Sequence, residues 1–187
     1  MERNINSNKH SYNKKSDVFR KILVLFGVFL VLGLVLPMKL FVFVPLIILH
    51  VLLSWARNIH SFGWLGVELI MFNTVIAGIL LGWLGGVVVA VLCVAVNYVF
   101  SRKYTSFFII TLPLYVLIGF LSSFFSASNI VATGIIFSLS YSIISFFLSF
   151  SFGARPLGLF VFTFTNVLFN VLLFSRLGSV LIGVFGA

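Results

Sequence analysis

Residues 66–90 read GVELIMFNTVIAGILLGWLGGVVVA, an apolar stretch with a single acidic residue, Glu68, near its start. Glu68 is also the only carboxylate residue that follows Asp17 in the chain. A charged side chain in the centre of a bilayer costs about 2.5–3.5 kcal/mol on insertion scales, so such a residue is rarely left without a partner or a task. Glu68 is therefore the first candidate for a functional residue.

The amino-acid composition determines the class of protein. Hydrophobic residues make up 61% of the 187 residues and charged residues only 8%, whereas soluble domains contain about 45–50% apolar residues. Apolar runs close to the roughly 20 residues that cross a bilayer core recur along the chain. The sequence predicts an all-α fold, a polytopic transmembrane bundle of six or seven helices in the cell membrane.

Basic residues cluster before the first apolar run. Half of the 12 Lys and Arg residues lie there, namely Arg3, Lys9, Lys14, Lys15, Arg20 and Lys21. Lys and Arg are enriched in the cytoplasmic segments of membrane proteins, where they also meet anionic lipid headgroups. We therefore interpret residues 1–19 as a disordered, basic cytoplasmic tail, with no nucleic-acid partner, and residues 20–187 as a single transmembrane helical domain.

Breaks at charged, Gly, Pro and Asn residues define seven candidate spans: 20–36, 40–55, 64–81, 85–100, 105–125, 130–152 and 157–174. Alternatively, the first two form one helix kinked at Pro37 and Pro45, which leaves six. Seven crossings place ten basic residues on the cytoplasmic side of the membrane. These are the six that precede the first apolar run, together with Arg57, Arg102, Lys103 and Arg155. Only two, Lys39 and Arg176, are then outside, whereas six crossings divide the charges seven against five. The charges favour seven crossings and a cytoplasmic N-terminus.

One layer of polar side chains is expected around Glu68. His50 lies at a similar depth on the preceding span, Asn97 lies near the end of the following one, and Arg57 is in the loop above them. Two interpretations are open. These side chains either form a clamp that fixes the helices, or they contact a ligand or an ion.

A deeper layer of amides is expected at Asn73, Asn166 and Asn170. The last two residues are four apart, which places them on one face of a helix, and an Asn side chain both donates and accepts hydrogen bonds. Such a face seldom points at lipid. It either holds helices together or binds a neutral polar small molecule.

Small residues recur at a spacing of four at Gly78, Gly82, Gly86 and Ala90. On a continuous helix they form a flat seam on which a partner helix can dock, whereas residues 82–86 can also form a turn between two spans. The charge distribution favours the turn.

The sixth span is rich in serine, and we interpret its serines as allowing close helix packing. They are Ser138, Ser140, Ser142, Ser145, Ser149 and Ser151.

Motifs of known catalytic chemistry are absent from the sequence. It contains no Gly-rich Lys-Ser/Thr phosphate loop, no His-Glu-x-x-His zinc motif, and no His/Asp or Cys/His cluster at membrane depth. We therefore predict no enzymatic activity, no cofactor and no metal. If the protein moves a solute against a gradient, the energy must come from a partner or an ion.

Residues 66–69, 73–82 and 85–90 resemble the second and third helices of the substrate-binding S components of energy-coupling-factor transporters. They are similar also to the MreD-like rod-shape membrane proteins. The first resemblance implies a compact helical bundle that binds a small molecule and depends on a partner membrane subunit and its ATPases. The second implies a non-enzymatic scaffold of a cell-wall or cell-shape complex. Neither resemblance specifies a substrate.

Overall fold

A computed structural model of the chain describes residues 43–59, 65–101 and 107–185. Its contacts divide the chain into two units, 1–44 and 45–187. Of the first unit only residues 43 and 44 are described, and they begin a helix. All contacts discussed below lie within the second unit. The predicted tail 1–19 and the first predicted span 20–36 lie outside the described residues.

The described residues are almost entirely helical and contain no β-strand. Five long helices follow one another, with a 3₁₀ turn before the fourth: α1 Phe43–Ile59, α2 Ile70–Ser101, α3 Phe107–Ser122, α4 Ile130–Ser151 and α5 Pro156–Leu173. A π-helical turn, Phe174–Gly178, joins the fifth without a break to a short final helix, α6 Ser179–Phe185. The all-α prediction is thus confirmed for this part of the chain.

By length and composition alone, three of these helical segments are sufficient to cross a membrane: Ile70–Phe100, which folds back on itself as described below, Ala127–Ser151 and Pro156–Leu181. Two shorter apolar segments, Phe43–Ala56 and Phe108–Ser122, accompany them. The long helices that the structure describes number five rather than six or seven, because α2 contains two of the predicted spans and the span 20–36 lies outside the described residues. These lengths and compositions are compatible with the predicted membrane protein.

Helix α2 is a hairpin rather than one straight rod. Gly82 has φ 78° and ψ −176°, outside the helical region. A Cβ atom built on Gly86 would lie 2.9 Å from the Cα of Gly78, although eight residues along a straight helix are about 12 Å apart. The arms 70–81 and 83–101 therefore run antiparallel, and the predicted turn is confirmed, at a single residue.

Only glycine adopts the backbone conformation of Gly82 without strain. We expect Gly82→Ala to lower the free energy of unfolding by about 1–3 kcal/mol through backbone strain alone, because no atom lies within 4 Å of its added Cβ. Thermal unfolding of the detergent-solubilised protein measures this. Gly158→Ala is the control, since Gly158 is helical and equally open; equal melting temperatures for both variants would contradict the strained turn.

Glycines bring the hairpin and α3 into backbone contact. A Cβ on Gly86 would overlap the carbonyl oxygen of Gly119, and a Cβ on Gly78 would overlap the hydroxyl of Ser122. Gly78, Gly86 and Ala90 are all buried there. Because α2 turns at Gly82, the four small residues do not form the seam of one continuous helix; Gly78 and Gly86 lie on opposite arms of the hairpin, and both pack against α3.

Helix α4 buries mostly polar side chains and exposes mostly apolar ones. Its buried residues include Thr133, Ser138, Tyr141, Ser142, Ser145 and Ser149, whereas its exposed residues include Ile136, Leu139, Ile143, Ile144, Phe147 and Phe150. A helix on the surface of a soluble protein shows the opposite arrangement. Exposed apolar and buried polar faces are what a helix in contact with lipid presents, because polar side chains at that depth face the interior of a bundle.

Candidate functional site

Residues 65–69, which we call the buried linker, are not helical. The predicted span 64–81 is therefore wrong at its start, and helix α2 begins at Ile70. Both backbone polar groups of Gly66 are bonded by α5 instead: its N–H donates to Thr165 Oγ1 (2.8 Å), and Asn166 Nδ2 donates to its carbonyl oxygen (3.0 Å). We call these three residues the Gly66 clamp.

The clamp requires glycine at position 66. A Cβ atom there would overlap the carbonyl oxygen of Phe162 and lie 2.6 Å from the Cβ of Asn166. Irregular backbone at membrane depth is tolerated only where protein covers it and satisfies its polar groups. The clamp meets both requirements, and it fixes the chain two residues before Glu68.

The carboxylate of Glu68 is buried among the helices, with the side chain only 3% exposed. The hydroxyl of Tyr115 donates to Oε1 at 3.0 Å, and Asn97 Nδ2 donates to Oε2 at 3.4 Å. The structure therefore brings Asn97 to Glu68 as the sequence predicted. Tyr115, on α3, was not predicted; the side chain of Arg57 lies outside what the structure describes.

Two aromatic rings extend the site from α3 to α4. Tyr115 and Tyr141 are stacked with their centroids 4.5 Å apart and an interplanar angle of 28°. The hydroxyls of Thr111 and Ser145 lie close to that of Tyr141. None of these neighbours is placed to form a well-aligned hydrogen bond, so among the described residues the buried Tyr141 and Thr111 hydroxyls are left unsatisfied. We call Glu68, Asn97, Tyr115, Tyr141 and Thr111 the Glu68 site.

His50 and Asn73 meet at Cys93, one helical turn before Asn97. His50 Nε2 lies 2.9 Å from the carbonyl oxygen of Cys93, so this nitrogen carries the proton. Asn73 Nδ2 donates to the carbonyl oxygen of Leu46 at 3.5 Å and to Cys93 Sγ at 3.7 Å. These contacts join α1 to both arms of the α2 hairpin. A pairing of His50 with Glu68 stays a prediction.

The predicted amide layer is divided between two places. Asn170 Nδ2 donates to the carbonyl oxygen of Asn166 at 2.9 Å and to its Oδ1 at 3.2 Å, so these residues share a helix face as predicted. Asn73, by contrast, lies beside Cys93. Because Asn166 also holds Gly66, this pair contributes to the clamp. The described contacts thus favour the helix-holding interpretation of Asn166, whereas Asn170 Oδ1 is buried without a hydrogen-bond partner among the described residues, and both interpretations of Asn170 stay predictions.

The candidate docking residues Gly78, Gly86 and Ala90 are covered by the chain itself, whereas Gly82 has open space around it. A partner could reach the first three only by displacing α3 or the opposite arm of the hairpin. A docking role for the four residues stays a prediction.

Within the part of the chain that the structure describes, no three His, Cys, Asp or Glu residues are grouped to hold a metal ion.

Comparison of the chain with protein-family models, with curated proteins and with solved structures finds no match. The similarity to S components and to MreD-like proteins therefore rests on the residues quoted above. The function has to be argued from the Glu68 site.

Proposed function

We propose that this chain is a multi-pass protein of the cell membrane that binds a small polar molecule at the Glu68 site, as the solute-binding subunit of a transporter. The N-terminus is cytoplasmic, as the distribution of basic residues along the sequence favours. The chain has no motif that would use a nucleotide, so its energy comes from a partner membrane subunit and ATPases. This is the arrangement that the resemblance to S components implies.

The observation that carries the proposal is the pair of unpartnered hydroxyls beside Glu68. Buried polar groups in proteins are almost always hydrogen-bonded, and leaving one unpaired costs about 1–3 kcal/mol. Thr111 and Tyr141 carry this cost next to a carboxylate that already accepts a bond from Tyr115. A bound polar molecule would satisfy both hydroxyls, which explains why they are retained at the centre of an apolar protein.

The geometry also separates holding residues from contact residues. The Gly66 clamp and the Asn73–Cys93–His50 contacts link α1, α2 and α5 through hydrogen bonds within the chain. The Thr111 and Tyr141 hydroxyls of the Glu68 site lie on α3 and α4, whereas a further buried hydroxyl without a partner among the described residues, that of Thr74, lies on α2. The clamp thus holds the linker that carries Glu68, while α3 and α4 provide the Thr111 and Tyr141 hydroxyls of the site.

The test is to identify small molecules that leave with the protein. The full-length protein is purified from native membranes in a mild detergent and denatured, and the released polar molecules are identified by mass spectrometry. We expect one molecule to be released in near-equal amount to the protein and to be at least tenfold depleted in Tyr141→Phe, which keeps the stacked ring and loses only the hydroxyl.

Ser140→Ala provides the control for this experiment, because Ser140 is exposed on the same helix as Tyr141. It should release the same molecule in the wild-type amount. If wild type and Tyr141→Phe release the same molecules in the same amounts, the proposed site is wrong.

A second candidate function is a scaffold subunit of a cell-wall or cell-shape complex, as the MreD-like resemblance implies. The observation in its favour is an aromatic surface at the hairpin turn, where Trp83 contacts Phe120 edge-on at 6.3 Å and Phe120 contacts Phe124 at 5.3 Å. Trp83 is 55% exposed and Phe124 is 71% exposed. Native-membrane purification also tests this function: cell-wall enzymes that co-purify with wild type and are lost in Trp83→Ala would support it.

A further inference from the structure

Helix α4 carries hydroxyl groups along its buried face well beyond the Glu68 site. This hydroxyl face consists of Ser138, Tyr141, Ser142, Ser145 and Ser149, all of them buried. Eight residues, or about 12 Å of helix, separate Tyr141 from Ser149. The spacings of three and four place all five side chains on the same side of the helix.

The serines of this face differ in how their hydroxyls are used. Ser138 Oγ donates to the carbonyl oxygen of Gly134 at 2.7 Å, the usual way in which a serine within a helix is satisfied. The hydroxyls of Ser142 and Ser149 have no hydrogen-bond partner among the described residues. Together with that of Tyr141, three unpartnered hydroxyls therefore lie on the same buried face of α4.

Close packing alone does not account for this face. Alanine and glycine allow helices to approach as closely as serine does, without burying an unpaired polar group. Each of the unpartnered groups is an uncharged hydroxyl that both donates and accepts. An ionic molecule would call for opposite charges along its length, whereas this face offers none beyond Glu68 at its edge.

We propose that the molecule bound at the Glu68 site is small, uncharged and rich in hydroxyl groups, and that Ser142 and Ser149 contact it directly. This inference rests on the proposed solute-binding function and specifies the chemical class of the solute. Tyr141 and Thr111 bind one end of the molecule near Glu68. Ser142 and Ser149 bind it further along α4.

The experiment measures thermal unfolding of the full-length protein in detergent with xylitol, arginine or glutamate, a neutral, a cationic and an anionic probe. Millimolar concentrations are used, because polyols stabilise proteins in general only when far more concentrated. We expect xylitol alone to raise the melting temperature of wild type. In Ser142→Ala and Ser149→Ala the xylitol-induced rise should fall at least twofold.

The same variants also report on the protein without a probe. Because each loses an unpartnered buried hydroxyl, their melting temperatures should equal or exceed that of wild type. Ser140→Ala is the matched control: it lies on the same helix, is exposed, and should keep the full response to xylitol.

Three results would overturn the inference. A rise with arginine or glutamate instead of xylitol would exclude an uncharged solute and leave the proposed function standing. An equal response of Ser142→Ala, Ser149→Ala and wild type to xylitol would exclude the contact. No response to any of the three probes would also overturn the chemical class, while the release experiment above decides separately whether a solute is bound.

Discussion

Gly66→Ala is expected to lower the free energy of unfolding by about 3–5 kcal/mol. The added methyl group overlaps the backbone of α5 at Phe162, and overpacking of this kind costs about 1–3 kcal/mol. To relieve it, the buried linker must move away from α5. It then loses the bonds to Thr165 and Asn166, each worth about 1 kcal/mol. Denaturant or thermal unfolding in detergent measures the loss.

The control for this prediction is Gly158→Ala, on the same helix that Gly66 contacts. A Cβ at position 158 meets nothing within 4 Å, so this variant should be as stable as wild type or slightly more stable, given the higher helix propensity of alanine. Wild-type stability of Gly66→Ala would mean that the linker does not lie against α5 in the membrane protein.

Glu68→Ala is expected to lower the free energy of unfolding by about 2–6 kcal/mol and to abolish solute release. The substitution leaves the Tyr115 hydroxyl and the Asn97 amide without their acceptor, and each buried unpaired group costs about 1–3 kcal/mol. Unfolding of the purified variant and mass spectrometry of the released molecules check the two parts separately.

A double-mutant cycle with Tyr115→Phe isolates the contact between Glu68 and Tyr115. Tyr115→Phe keeps the stacked ring and removes the donor, so the combined variant should be less destabilised than the sum of the two single variants. Additive effects would show that the two side chains do not interact. Ser140→Ala again serves as the unaffected control.

The spans of the bundle could be predicted because they depend on local hydrophobicity. The apolar runs located α1, α3, α4 and α5 to within a few residues, and the charge distribution favoured the turn that the structure has at Gly82. The turn also predicts that Asn97 lies near Glu68, because two antiparallel arms of similar length bring together the ends that are far from the turn. These features follow from residues that are close in sequence.

The remainder of the site depends on contacts between distant residues. In the sequence, Tyr115 and Tyr141 are aromatic residues within apolar runs, and nothing local distinguishes them from residues that face lipid. The buried linker has the composition of a helix and is held open by α5, about 100 residues later. One signal was available: a tyrosine buried in an apolar environment needs a partner for its hydroxyl, and Glu68 was the most polar group at hand.

The Gly66 clamp also imposes an order on the biogenesis of the protein. Thr165 and Asn166 are synthesised and inserted about 100 residues after Gly66, so the backbone groups of the linker have no protein partner while the first helices enter the membrane. An unpaired peptide group is costly in hydrocarbon, and the nascent linker must stay hydrated, or shielded by the insertion machinery, until the last long helix arrives. Glu68 is thus placed late, and the proposed binding site is complete only once α5 is in position.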